Sequence, residues 1–128
     1  MTSLRGEWLR CREWIREAVE PTGLYRIEDV ERAIAAGEMH FWPGQYCAAV
    51  TEFIFYPNCK VLNIFAGGGT KGRALRELTR GLEPALQRWA RACDCKKIIA
   101  FGIKPAWAPV GEALGYRHLW TVMTKDVE

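Results

Sequence analysis

Apolar residues recur in steps of three and four along the start of the chain. Trp8, Cys11, Ile15 and Ala18 carry the pattern, and Arg10, Arg12, Glu13, Arg16 and Glu17 fill the other faces. Such spacing gathers one apolar stripe on a helix over Leu4 to Glu20, which Pro21-Thr22-Gly23 stops. A second helix is predicted over Ile27 to Ala36, where Ile27, Val30, Ala33 and Ile34 share a face and Gly37 follows the end. The period then falls to two. Met39 to Trp42 reads as a short strand closed by Pro43-Gly44, and Tyr46 to Tyr56 as a strand rich in aromatic and β-branched residues. Pro57-Asn58 turns the chain into a return strand, Lys60 to Ala66.

A glycine loop, Gly67-Gly68-Gly69-Thr70-Lys71-Gly72, comes next, and helical spacing resumes at Leu75, Leu78, Leu82, Leu86, Trp89 and Cys93. Pro84 lies inside that stripe and clashes with the carbonyl four residues back, so a kink or restart is predicted between Gly81 and Pro84. Lys97 to Gly102 reads as a buried strand, Pro105 to Leu114 as a short helix, and Tyr116 to Thr124 as a final alternating strand. The order predicts one domain over residues 1–128, of α+β class, with a single mixed sheet and flanking helices. The strands on either side of the long helix become parallel neighbours, as a crossover connection requires.

Composition narrows this only slightly. At 128 residues the chain can bury one core, but it is too short for a (β/α)₈ barrel or a full two-half dinucleotide-binding domain. The 49% hydrophobic and 26% charged fractions are those of a folded globular protein. A net charge of +3 is too mild to argue for a nucleic-acid face. Its distribution is uneven, because the stretch from Lys71 to Lys97 carries eight basic and three acidic residues. That excess fits either a site for a phosphorylated small molecule or a solvated arginine-rich helix face. Nucleic acid binding through the same helix is the weaker third reading.

Five cysteines show no repeated metal spacing, and Cys93-Asp94-Cys95 has no second pair, so no metal is expected. Reduced thiols suit a cytoplasmic compartment. The polar opening residues do not read as a signal peptide, and no apolar run is long enough to span a membrane.

A glycine-rich turn from a strand into a helix N-terminus offers unpaired N–H groups and the positive end of a dipole, which suits phosphate. The run contains a literal G-x-G-x-x-G, but its strand is the third of an antiparallel series and no acidic residue closes a following strand, so a dinucleotide fingerprint is disfavoured. No G-x-x-x-x-G-K-[S/T] occurs either. The alternative is a turn that only re-aims the chain.

Element order and glycine turn together resemble the GNAT superfamily of N-acetyltransferases, over Glu7 to Lys125. In that fold two helices precede antiparallel strands, a pyrophosphate-binding turn, a long helix, a parallel strand, a short helix and a closing strand; the first family strand is missing here. The family turn is Q/R-x-x-G-x-G/A. Gly72-x-Ala74 matches its second half, and Gly69 stands where Gln or Arg is usual. The resemblance implies acetyl-CoA as substrate, with Phe65, Ala66, Gly67, Gly68, Gly69, Thr70, Lys71, Gly72 and Arg73 lining its site and no metal. The strand Val61 to Ala66 would pair with the pantetheine arm, in the splay against Lys97 to Gly102. In the family's second motif Gly115-Tyr116 is an acceptable ending, while Gly111 replaces the tyrosine that often protonates the departing thiolate, Trp107 an alanine and Lys104 an asparagine.

Phe41-Trp42-Pro43-Gly44, Val50-Thr51-Glu52 and Leu62 to Gly68 are similar to small GNAT-like proteins of tailed phages and prophages. That resemblance implies a catalytically degenerate alternative, with a role in the virion, in assembly or in protein interaction. The location would be the host cytoplasm or the virion, and the partners phage structural proteins or a second copy of the chain. For catalysis, the partners are a CoA thioester and an amine acceptor. Amide formation needs a base for the ammonium proton and polarisation of the thioester. Glu52, flanked on its own face by Val50 and Ile54, His40 and Tyr116 are the candidates. Each also has a structural reading: a paired carboxylate, a half-buried histidine, a packed tyrosine. Trp42 and Trp107 are the tryptophans placed to line a pocket.

Overall fold

The computed structural model describes residues 3–101 and 107–127. Helix α1 (Leu4–Val19) begins at Ser3, whose side chain accepts from Gly6 N–H at 3.0 Å, and a single 3₁₀ turn, Glu20–Thr22, ends it at Gly23 with φ of 73°. Helix α2 (Ile27–Ala35) starts where Arg26 N–H donates to Asp29 at 2.9 Å. Three antiparallel strands follow, β1 (His40–Pro43), β2 (Cys47–Phe55) and β3 (Lys60–Gly69). Helix α3 (Ala74–Glu77), a π turn (Leu78–Leu82) and helix α4 (Glu83–Ala92) lead to β4 (Lys97–Ala100), which pairs parallel to β3. Helix α5 (Ala108–Ala113) comes last. The sheet order is β1-β2-β3-β4, the mixed α+β arrangement the sequence implies.

The two sheet faces carry different cores. Cys11, Ile15, Val19, Ile27, Val30 and Ala33 from the first two helices close on Ala48, Val50 and Ala66. On the opposite face Leu62, Leu86 and Ala90 are buried with Trp42, Phe53, Ile64 and Trp89 around them. Each fully buried aliphatic side chain contributes about 1.5–3 kcal/mol relative to exposure. Charges tie the helices together from outside: Glu31 accepts from Trp8 Nε1 at 2.7 Å and from Arg12 at 3.1 Å, joining α2 to α1.

Two sequence expectations are corrected. Gly67, Gly68 and Gly69 are the end of β3 rather than a loop, paired with Ala49, Ala48 and Cys47. The strand expected over Tyr116 to Thr124 does not form; residues 116–127 have no regular secondary structure and leave Val122 and Met123 exposed. Alternation makes a strand only where a neighbour takes its backbone hydrogen bonds, and this segment pairs with none of the four strands. Trp42 packs on Trp89 and donates to Thr51 Oγ1 at 2.9 Å. The break in the long helix falls where Pro84 predicts it, as a π turn in which Glu83 N–H reaches Leu78 O. Gly102, Lys104 and Pro105 lie outside the described residues.

Candidate functional site

The glycine turn is built from β3, the hairpin end of β2 and the first turn of α3. Thr70 N–H donates to Tyr46 O at 2.7 Å, and Arg73 and Ala74 N–H close back on Thr70 O at 3.2 and 3.0 Å. Why glycine stands at each position differs along the run. A Cβ on Gly68 would come within 2.9 Å of Trp14 O, and one on Gly69 within 2.7 Å of Ala74 Cβ. These two allow α1 and α3 to sit against the strand; their space is already taken by the protein. Gly72 is different, with φ of 87° and nothing within 4 Å of an added Cβ. A close approach by a ligand is open at Gly72, beside the exposed Lys71 and Arg73. Arg73 is held over the Tyr46 ring at 5.0 Å and donates to its hydroxyl at 2.9 Å.

Beyond the turn, β3 and β4 fork. Their pairing runs from Val61↔Lys97 to Ile64↔Ala100, whereas β3 continues to Gly69. Phe65 is the extra residue of a β-bulge, since Val50 pairs with Ala66 and Thr51 with Ile64. A bulge adds local twist and turns the strand. Among the described residues, Phe65, Ala66 and Gly67 have no strand partner on the β4 side, and they lead into the turn at 70–73.

Glu52 and Asn63 face one another across β2 and β3, and Asn63 Nδ2 donates to Glu52 Oε2 at 2.9 Å. The pair stands one residue before the fork. His40 pairs with Thr51, so strand alternation puts it on the opposite face from Glu52. There it packs edge-on to Trp89 at 4.5 Å and beside Phe53 at 5.0 Å. Burial, which disfavours the charged imidazolium, lowers its pKa against a smaller opposing contribution from Thr51. Tyr116 lies elsewhere again. Its hydroxyl meets Glu83 Oε1 at 3.4 Å, and burial, with the Glu83 carboxylate beside it, raises its pKa. The three candidates thus do not converge.

Glu77 was not among the sequence candidates, yet it organises the hairpin below the turn. Its carboxylate accepts from the N–H groups of Gln45, Tyr46 and Cys47, each at 2.9 Å. Burial pushes its pKa up, but the Cys47 thiol and the three N–H donors outweigh that and leave it lowered. Burial, with Glu77 beside it, pushes the Cys47 thiol up to about 12, so this sulfur is no nucleophile at neutral pH. Replacing Glu77 with glutamine is expected to cost roughly 1–2 kcal/mol after solvent screening. The contribution is present above the unfolded carboxyl value of about 4.3 and is lost as pH falls through the lower folded value. Urea melts at pH 7 and pH 3 should therefore show the gap between wild type and Glu77→Gln closing at the acid end.

No family model matches the sequence, and no curated protein matches it. Solved structures do. A probable acetyltransferase superposes over 99% of this chain and 95% of its own, with a TM-score of 0.69 and 12% identity. The chain has the GNAT acetyltransferase fold. A GNAT family acetyltransferase of Staphylococcus aureus matches 98% of this chain and 95% of its own, with a TM-score of 0.60 and 9% identity. An aminoglycoside N-acetyltransferase in complex with CoA matches over 79% of this chain and 74% of its own, with a TM-score of 0.59 and 17% identity. Within the GNAT fold the fork and the turn fall between β3, α3 and β4. Among the described residues no helix is long and apolar enough to cross a membrane.

Proposed function

We propose that this chain is an acyl-CoA-dependent N-acyltransferase, with acetyl-CoA as donor and an amine as acceptor. The observation that carries the reading is the fork: β3 outruns β4 past a bulge and leads straight into an open glycine turn at a helix start. The backbone of Phe65 to Gly67, without a strand partner on the β4 side among the described residues, suits the amide groups of a pantetheine arm, and Lys71 and Arg73 suit the pyrophosphate. Glu52 is the base in this reading. It takes a proton from the acceptor ammonium, the freed amine adds to the thioester carbonyl, the C–S bond breaks to release the CoA thiolate, and the second proton lost from nitrogen passes to that thiolate or to solvent. A thiolate with an ordinary pKa of about 8.5 leaves without full protonation, so Gly111 at the family tyrosine position limits the rate rather than forbidding the step. Calorimetry with acetyl-CoA tests the assignment. Micromolar binding, weakened about tenfold or more by Arg73→Glu, is the expected result; no binding at millimolar ligand would overturn it.

A second reading keeps the fold and loses catalysis: a virion, assembly or interaction protein of phage type. It is favoured by His40, Glu52 and Tyr116 lying apart, and by Gly111. Co-purification of the chain with assembled particles, with no thiol released from acetyl-CoA, would select it.

A further inference from the structure

Asn63 is a buried polar residue that the acyltransferase reading leaves unexplained. It is 2% exposed in the middle of β3, and its Oδ1 is buried without a hydrogen-bond partner. An acceptor left in that state costs about 1–3 kcal/mol. The neighbouring position on the same face shows the cheaper solution, since Val61 is equally buried with no orphaned atom. Nor is the amide needed to hold the strand, whose ladder is made by backbone groups. What the side chain does is hold Glu52 through Nδ2, while the oxygen of the same amide stays unused. Asn63 pairs with Ile99 on the β4 side, and the pairing ends at the next residue. The unused acceptor and the Glu52 carboxylate therefore stand together at the root of the fork.

We propose that Glu52 and Asn63 form a two-point seat for the acceptor's ammonium group, with Asn63 both positioning Glu52 and taking a second N–H on Oδ1. The inference rests on the acyltransferase reading. A primary ammonium has three N–H bonds. One proton passes to Glu52, one N–H stays on Asn63 as the amide N–H of the product, and the third proton leaves with the thiolate or to solvent. The seat selects by counting donors. An ammonium with a single N–H satisfies one acceptor and leaves the other orphaned.

The test uses benzylamine and N,N-dimethylbenzylamine as probes at pH 7, both measured by calorimetry against wild type and Asn63→Leu. Wild type should bind benzylamine about tenfold or more tighter than the dimethylated probe, and Asn63→Leu should bring that ratio near one. Asn63→Leu should also melt at or above the wild-type temperature, because the orphaned acceptor is gone. An unchanged ratio, no benzylamine binding, or a melting temperature that drops with the ratio intact would each overturn the proposal. If the leucine variant does not fold, Asn63→Val gives the same comparison. Thiol release from acetyl-CoA with benzylamine is scored separately. Probe selectivity without thiol release would sink the acyltransferase reading and leave the seat standing, whereas thiol release without selectivity would do the reverse.

Discussion

Glu52→Gln is expected to lower acetyl transfer by about 10²–10⁴-fold, the usual contribution of a positioned general base. The substitution is nearly isosteric. A glutamine carbonyl can still accept from Asn63 Nδ2, which now sits 2.9 Å from Oε2, so the strand pair is preserved. Only the capacity to take a proton disappears. Acetyl-CoA affinity should stay within about twofold, because Glu52 lies before the fork rather than on the glycine turn. The check is kcat with benzylamine at saturating acetyl-CoA, alongside calorimetry of the donor. A variant with wild-type turnover removes Glu52 from the chemistry. One that loses donor binding as well has been damaged in its fold and must be set aside for Glu52→Ala.

The largest stability effect should come from Gly69→Ala. A Cβ there meets Tyr46 O well inside van der Waals contact, and lies 2.7 Å from Ala74 Cβ and 2.8 Å from Cys47 Cα. Two of these three neighbours are backbone atoms, which cannot swing away as a side-chain tip can. Overpacking of a close-packed interior costs about 1–3 kcal/mol; against backbone, about 3 kcal/mol or more is expected. At about 3–5 °C per kcal/mol for this size, the melting temperature falls by roughly 10 °C or more. Gly67→Ala supplies the control, since its Cβ would stand at an ordinary 3.4 Å from Ala48 O. Equal melting of the two variants would contradict the packing described for the end of β3.

These expectations show how far the chain could be read before its structure. The helical stripes of α1 and α2, the strand pair around Pro57-Asn58 and the break before Pro84 rest on local signals that tertiary contacts reinforce. The glycines were legible as glycines but not as strand. Nothing local says that Gly68 is small because Trp14 lies above it. The segment after Tyr116 carries strand alternation, yet alternation is only half of a strand, and the other half is a partner. Glu77 was missed for a different reason. On a straight helix it lies nearly opposite Leu86, at about 100° per residue. The π turn at Leu78–Leu82 takes up an extra residue. That rotates the preceding segment by about one residue's angle and brings Glu77 toward the sheet. Proline marks where a helix is disturbed without saying how the phase shifts. The Asn63 amide likewise gives no sign in sequence of being half-used.

The grip of Glu77 on residues 45–47 makes those three amides a natural reporter. They are N–H groups of a hairpin turn, a class that ordinarily exchanges with solvent hydrogen quickly, but here one carboxylate holds all three. Their exchange is governed by a single opening of α3 away from the hairpin, so they should exchange as a group. Arg73, four residues before Glu77, rests on Tyr46 in the same hairpin. A ligand drawn to the glycine turn is thereby felt some thirty positions earlier in the chain, at amides that deuterium uptake can follow without any assay of chemistry.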